Sequence, residues 1–528
     1  MNCIEKQNSI APKQLLLTVL YCMAVCVLSS FVDSTANADD KSDSASAHEM
    51  DVWYRVSIAE KPVGHLHLKS KGSELKDGTK VMEHTSDFFM RLNRDGDVTE
   101  VKESSLLVED EDGKLLRFRV NQKMGENEVV IKGRNREGTL HITNSSDDSK
   151  RSIEMDKSWL SNVQQFDLIS DLYKQHQKGT DAKRESVYSA FDVQIMSAVK
   201  VTMTIKGISE AGLAKPWDKG LHVVMKQEIQ GGTINSTNWF ANDGTLLKSM
   251  IPGFGMTMQR VKKEDAIKLS SDSVDINGLT SVKVSGRVDL LNDESHVFRI
   301  RVHRDESIPS QDDKWRIVKN GPNQRLNQVI EKSRSTSITT FSSLRKSSLN
   351  RARESDPKPT AACLERSSLI QSDAAEIKSL ASKHKKEDPL ETARSLEIEV
   401  GRLIEEANYE NVFDSALTVL EKKEGDCTEH SVLLVALCRA ADVPARVATG
   451  LIGVQVASSD KPVVEFFHHM WTEVYVDGIW HSLDATLGRG GITSAHIKLS
   501  DSSLADGDDS GLISIVNLLG RIEIEIVR

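Results

Sequence analysis

Basic charge is the first thing this sequence has too little of. Its 528 residues carry 68 Lys+Arg against 78 Asp+Glu, a net charge of -10 spread along the chain. A nucleic-acid binder needs a concentrated basic footprint, so nucleic acid is excluded as the expected partner. Long apolar stretches are also missing after Ala38, so everything beyond that point is expected on one side of a membrane. Cysteine is sparse. Of 6 in the chain, Cys3, Cys22 and Cys26 lie near the start, leaving Cys363, Cys427 and Cys438. An odd number in an exported chain leaves at least one thiol free within it. Finally, the front half lacks any cluster of Cys, His and carboxylates at ligand spacing. His65 and His67 share a strand face, but sheet packing explains them better than a metal site. No metal or cofactor is expected.

What is present begins with an address. Lys6 and Lys13 precede an apolar run from Leu15 to Val32, and Ala36-Asn37-Ala38 offers the small-x-small pattern of a cleavage site, followed by Asp39, Asp40 and Lys41. Residues 1–38 therefore read as a signal peptide, with an uncleaved N-terminal membrane anchor as the alternative. The expected location is the periplasm or cell envelope.

A chain of this length exceeds a single core and divides into domains. Residues 47–302 read as a β-rich region. Val52, Tyr54, Val56 and Ile58 alternate, similar runs recur at 129–131, 199–205 and 297–302, and Asp95-Gly96, Asp112-Gly113 and Asp243-Gly244 punctuate them as turns. One helical interruption is expected from Trp159 to Gln175. Residues 303–365, rich in Ser, Thr, Lys and Arg and ending near Pro357 and Pro359, read as a linker. Helices follow in 366–528. Asp388-Pro389 with Glu391 opens one whose apolar face is Ala393, Leu396, Val400, Leu403, Ile404 and Ala407. A helix before it carries Ile377 and Leu380, and Ser415 caps a short one after it. The fold class is α+β, a central helix on an antiparallel sheet, preceded by an antiparallel β-rich region.

The chemistry concentrates between Gly425 and Gly488. Asp426 caps a helix that begins at Cys427, with Glu429 completing a capping box. A helix N-terminus is expected to lower the thiol pKa. The helix continues through Val432, Leu433, Leu434, Val435, Ala436 and Leu437, apolar nearly all round, and so must be buried. Asp477-Gly478 between two alternating runs signals a two-residue hairpin. In that register Val476 faces Ile479, Trp471 faces Asp484 and His469 faces Thr486. His469 and Asp484 become diagonal neighbours on one face, roughly 7 Å apart at the backbone, while His468 and His481 fall on the other. His430 has a supporting or surface role, and Arg439 and Arg446 are expected in structural ion pairs.

GDCTEHSVLLVALCRAADVPARVATGL followed by HMWTEVYVDGIWHSLDAT resembles the bacterial branch of the transglutaminase-like superfamily, whose fold is related to papain-like cysteine proteases. The resemblance covers about residues 370 to 528 and rests on the cysteine block, Pro444-Ala445-Arg446, the His-x-Trp strand and the Asp-x-Thr end. Many relatives have Asp-Pro-Thr where this chain has Asp484-Ala485-Thr486. The resemblance implies Cys427 as nucleophile, His469 as general base and acid, and Asp484 as the group that holds the imidazole. It implies action on a peptide or glutamine-type amide of a protein substrate, by hydrolysis or by acyl transfer to an amine. The rival expectation is a non-catalytic envelope scaffold with a vestigial triad.

Overall fold

The computed structural model describes residues 49–269, 281–284, 296–303, 322, 324–333, 336–343, 357–404, 414–456, 463–488, 491–505 and 522–527, with short breaks in the first range at 95–96, 125–126, 146–149, 180–181, 194–195, 230–231 and 252–254. The expected leader and the Asp95-Gly96 turn lie outside the described residues. Among the described residues no helix is long and apolar enough to cross a membrane.

Contacts divide the chain into two units between Ile276 and Asn277. The first is one 14-stranded sheet. Its strands are β1 (Met50–Ile58), β2 (Lys61–Glu74), β3 (Lys80–Arg94), β4 (Asp97–Asp110), β5 (Leu115–Met124), β6 (Asn127–Arg136), β7 (Thr139–Asn144), β8 (Lys150–Glu154), β9 (Glu185–Asp192), β10 (Ser197–Glu210), β11 (Lys219–Ile229), β12 (Gly232–Phe240), β13 (Leu246–Ile251) and β14 (Met256–Val261). Sequence neighbours pair from β1 to β8 and from β9 to β14, β1 joins β14 antiparallel, and β8 and β9 form the two edges, so the two runs of hairpins meet at β1. Alternation does what the sequence expects: Val52, Tyr54, Val56 and Ile58 are buried. The turns at Asp112-Gly113 and Asp243-Gly244 connect β4 to β5 and β12 to β13. One helix, α1 (Asn162–Lys178), interrupts the strands. It starts three residues later than the hydrophobic spacing suggests because Ser161 and Gln164 form a capping box there.

The second unit carries α2 (Ala375–His384), α3 (Pro389–Leu403), α4 (Ala416–Lys422) and α5 (Cys427–Ala440). Its strands are β15 (Val282–Val284), β16 (Val297–His303), β17 (Gln324–Ser333), β18 (Thr336–Ser343), β19 (Ala445–Val456), β20 (Val463–Val476), β21 (Ile479–Leu483), β22 (His496–Ser502) and β23 (Ile522–Ile526). A 5-stranded sheet runs β15-β20-β19-β22, with β21 also on β20, and a 4-stranded sheet runs β17-β18-β16-β23. Two sequence expectations change here. Residues 297–302 do not close the β-rich region, because β16 pairs with β23 and β15 with β20, strands of the second unit. The 303–365 linker contains β17 and β18, which pair with each other. Its polar composition masks the β-branched run Ile338-Thr339-Thr340, which suits a strand.

α5 is the centre of this unit, packed on β19 and β20 and flanked by α2, α3 and α4. Every residue from Cys427 to Arg439 is buried. A helix without a polar face is stable only where other elements cover it all round. The second layer closes the far end of the sheet. Phe298, Ile300, Val302 and Ile524 pack with Leu451, Val464, Phe466, Ile497 and Leu499, and the rings of Phe298 and Phe466 meet edge to face at 5.8 Å. β19 needs glycine at 450. A bulge between Thr449 and Gly450 brings the Ile497 carbonyl onto the place a Cβ would occupy.

Candidate active site

Cys427 is the first residue of α5. The Asp426 carboxylate accepts from the Thr428 N–H at 2.8 Å, and the Glu429 carboxylate accepts from the Asp426 N–H at 3.0 Å. The capping box expected from the sequence is therefore formed, and it fixes where the sulfur stands. The backbone N–H of Met470 in β20 donates toward that sulfur. The residue that follows His469 thus touches the thiol. The electrostatic expectation is overturned. Burial pushes the Cys427 thiol well above its ordinary range, the Asp426, Glu429 and Asp484 carboxylates push it further, and the Met470 N–H opposes them. The helix end cannot win because carboxylates lie beside the sulfur and the residue that carries it is only 1% exposed.

The hairpin register is the one read from Asp477-Gly478. Val476 pairs with Ile479 and Thr472 with Leu483. β21 stops one residue short of the expected Trp471–Asp484 pair, because the Asp484 N–H turns to the Glu397 carboxylate of α3 at 2.8 Å. Asp484 nonetheless reaches His469: Nε2 to Oδ2 is 2.8 Å, between side chains 1% and 0% exposed. A carboxylate only accepts, so the ring carries its proton on Nε2. Its Nδ1 is left with a lone pair, is buried and has no hydrogen-bond partner. His468 on the opposite face is pushed down to about 3 by burial and has no such carboxylate. The structure thus joins His469 to Asp484, and sets Cys427 against the strand residue next to His469.

Sequence reasoning missed two participants. His496 on β22 places Nε2 at 3.0 Å from the same Asp484 Oδ2. Glu397 accepts both the Asp484 N–H and, at 2.7 Å, the Gly491 N–H. A signal for Glu397 existed, since it falls four residues after Ala393 and three before Val400 inside the apolar stripe of α3, where a carboxylate needs a reason. His496 had none, because its place depends on β22 pairing with β19, Ile452 opposite His496. Burial would raise the Asp484 carboxyl, but the His469 and His496 rings outweigh it and hold it well below the usual carboxylate range. His469, Asp484 and His496 are also the one described group whose ligand atoms, within 4.8 Å of one another, could share a metal ion. Hydrogen bonds already engage those atoms.

The surroundings are structural. Arg446 pairs with Glu473 at 2.7 Å and Asp501 at 3.0 Å, and Lys498 pairs with Glu473 at 2.6 Å, a balanced buried network. Arg439, expected in an ion pair, instead donates to the carbonyls of Ala445, Glu365 and Ser503. Trp480 lies under the Arg446 guanidinium and donates to the Pro357 carbonyl at 2.7 Å. His430 is buried, not at the surface, with Nδ1 at 2.6 Å from the Asp426 carbonyl. Cys363, Cys427 and Cys438 are all free thiols.

A buried helix with a cysteine at its tip, laid on an antiparallel sheet that carries a paired histidine and aspartate, defines a papain-like α+β domain. Residues 378–485 match the family model of the transglutaminase-like superfamily, and the C-terminal domain is a transglutaminase-like domain. Among solved structures, the chain is similar to a proposed cysteine protease of Cytophaga hutchinsonii, at 16% identity over 44% of this chain and 92% of that one, with a TM-score of 0.28. It is similar to the periplasmic domain of TgpA from Pseudomonas aeruginosa at 15% identity, over 37% and 90%, with a TM-score of 0.25. It is also similar to a beta-barrel-like protein of a domain of unknown function from Brucella abortus at 12% identity, over 40% and 93%, with a TM-score of 0.31. No curated protein matches the chain.

Proposed function

We propose that the protein is an exported cysteine enzyme that forms a thioester on Cys427 from a peptide or glutamine-type amide. The observation that carries this reading is the state of the His469 ring. Nε2 is held by Asp484, Nδ1 is buried without a partner, and the neighbouring Met470 N–H faces the sulfur. A ring with one nitrogen oriented by a carboxylate and the other open, one residue along the strand from the N–H that faces the thiol, suits general base catalysis.

The raised thiol sets the order of events. Cys427 rests as a thiol and gives its proton to His469 Nδ1 as its sulfur bonds to the amide carbonyl carbon. The C–N bond then breaks, the imidazolium returns the proton to the departing amine, and the thioester remains. Water completes hydrolysis or deamidation; a lysine amine completes a crosslink. The Cys427 N–H at the helix tip is one donor for the oxyanion. The substrate we assign is a protein or peptide, met in the periplasm or cell envelope after the leader of residues 1–38 directs export or anchors the chain.

Mass spectrometry of the acyl-enzyme and of acceptor-linked product, wild type against Cys427→Ala, tests this. A thioester adduct on Cys427 that vanishes in the variant is expected. Equal product from both proteins ends the enzyme reading. The burial of Cys427 favours one second reading, a non-catalytic envelope scaffold. It requires that the thiol never react with an acyl donor.

A further inference from the structure

The Asp484 carboxylate serves two imidazoles, and the reaction proposed above uses one. His496 is 0% exposed and lies beyond Asp484 from His469, the two rings 5.5 Å apart. Its protonation pattern follows from its own turn. Nδ1 lies 3.1 Å from the Thr493 N–H, which can only donate, so Nδ1 supplies a lone pair. The proton of the neutral ring is then on Nε2, where it points at Asp484 Oδ2. The His496 N–H bonds back to the Thr493 carbonyl at 3.2 Å, so the turn holds the ring by its backbone as well. Trp471 meets the ring edge to face at 5.3 Å, which removes its remaining rotation.

Two N–H donors therefore converge on one carboxylate oxygen, and the Thr486 N–H holds the other at 3.1 Å. A carboxylate fixed at both oxygens cannot rotate. One that is fully buried also stays ionised only if donors replace the water it has lost.

We infer that His496 is a positioning residue for the Cys427 reaction, a Thr493-fixed Nε2–H donor that locks Asp484 toward His469 and shares its charge. This rests on the cysteine-enzyme reading, and it goes beyond the three residues that reading uses. The other titratable groups that interact with the carboxylate or its residue are His469 of β20, Cys427 and His430 of α5, and Glu397 of α3, which takes the Asp484 N–H. Of these only His469 supplies an N–H to Oδ2 in the hydrogen bonds described above. Removing the His496 donor leaves the local field more negative, so every proton nearby is held more tightly. The pH midpoint of thiol reactivity belongs to the coupled site as a whole, and it moves up.

The experiment is the pH profile of Cys427 alkylation by iodoacetamide in the full-length protein, which needs no substrate. His496→Leu is expected to raise the midpoint by about 0.5 to 1 unit and to slow the reaction by about 10-fold. His496→Gln, whose side-chain amide still donates, is expected to restore both. Nitrogen-15 NMR of the wild-type imidazoles is expected to show His496 as the Nε2–H tautomer. A wild-type Nδ1–H tautomer overturns the inference without any variant. So does a His496→Leu profile that superimposes on wild type, or equal shifts in the Leu and Gln variants. Asp484→Asn separates the two failures. If it moves the profile and His496→Leu does not, only the role of His496 falls. If Asp484→Asn moves nothing, the Cys427–His469–Asp484 reading falls too.

Discussion

Both units bury a nucleophile-type side chain, a histidine and a carboxylate, and the two sets differ in what the imidazole has left to offer. In the N-terminal sheet Ser70, His84 and Glu109 sit on the adjacent strands β2, β3 and β4. Ser70 Oγ lies 2.8 Å from His84 Nδ1, and His84 Nε2 lies 3.5 Å from Glu109 Oε2. Glu109 Oε1 then accepts from Asn162, the first residue of α1, at 3.3 Å. Both ring nitrogens face protein groups, Ser70 is in the middle of a strand, and the chain of contacts ends by tying a helix to the sheet. In the C-terminal unit His469 keeps Nδ1 open, and Cys427 stands at a helix tip where Asp426 takes the Thr428, Glu429 and His430 N–H groups and leaves that of Cys427 as the donor for a developing oxyanion. A Ser–His–Glu chain can thus be architecture while a Cys–His–Asp chain of like residue types keeps a ring nitrogen open, as the proposed reaction requires. The residue types do not decide it; the free lone pair and the helix end do.

The sharpest break in this comparison is a pair of alanines. Cys427→Ala is expected to lower acyl-product formation by about a thousandfold or more, and Ser70→Ala to leave it unchanged, both read by mass spectrometry. Loss of product in Ser70→Ala with an intact fold would erase the distinction. Next in size is Glu397→Ala. It strands the buried Asp484 and Gly491 N–H groups, at about 1–3 kcal/mol each, and is expected to lower the denaturant midpoint together with the alkylation rate. His84→Leu should cost about 1–3 kcal/mol in the N-terminal unit and leave the Cys427 profile in place.

Two smaller effects come from titration. The folded Asp484 carboxyl lies below its unfolded value of about 4. Its stabilisation is therefore complete above that value and is lost as pH falls toward the folded one. Asp484→Asn is expected to flatten the acid limb of unfolding free energy against pH. The Cys427 thiol lies above its unfolded value of about 8.5, so its contribution is full below that pH and is lost as pH rises. Cys427→Ala is expected to flatten the alkaline limb. The smallest change is Asp426→Ala. It removes a cap worth about 1 kcal/mol and also a carboxylate that raises the thiol, so the protein should melt slightly earlier while Cys427 alkylates faster at neutral pH. Slower alkylation would mean that the cap's geometry matters more than its charge.

These outcomes also mark what local chemistry could and could not specify. The cap at Asp426, the hairpin at Asp477-Gly478, the buried character of α5 and the choice of His469 over His468 are written in neighbouring residues, because caps, two-residue turns and pleat alternation act within a few positions. They appear in the structure much as the chain spells them, with β21 ending at Leu483 as the one adjustment. The α+β class and the β-rich front were legible for the same reason. The domain border was not. Residues 282–284 and 297–303 look like more of the first sheet until β15 finds β20 and β16 finds β23, pairings across more than 150 residues that no local pattern encodes.

The sequence by itself determined the helix with Cys427 at its tip and the strand that carries His469. Only the tertiary structure decided how tightly that thiol holds its proton. Burial and three carboxylates outweigh the helix end, because desolvation and like charge depend on everything packed around the sulfur, while a helix N-terminus depends only on the chain that forms it. The tertiary structure also brought His496 and Glu397 to Asp484 from β22 and α3. A carboxylate removed from water needs donors to hold it, and a buried backbone N–H needs an acceptor, and long-range packing alone determines which residues supply them.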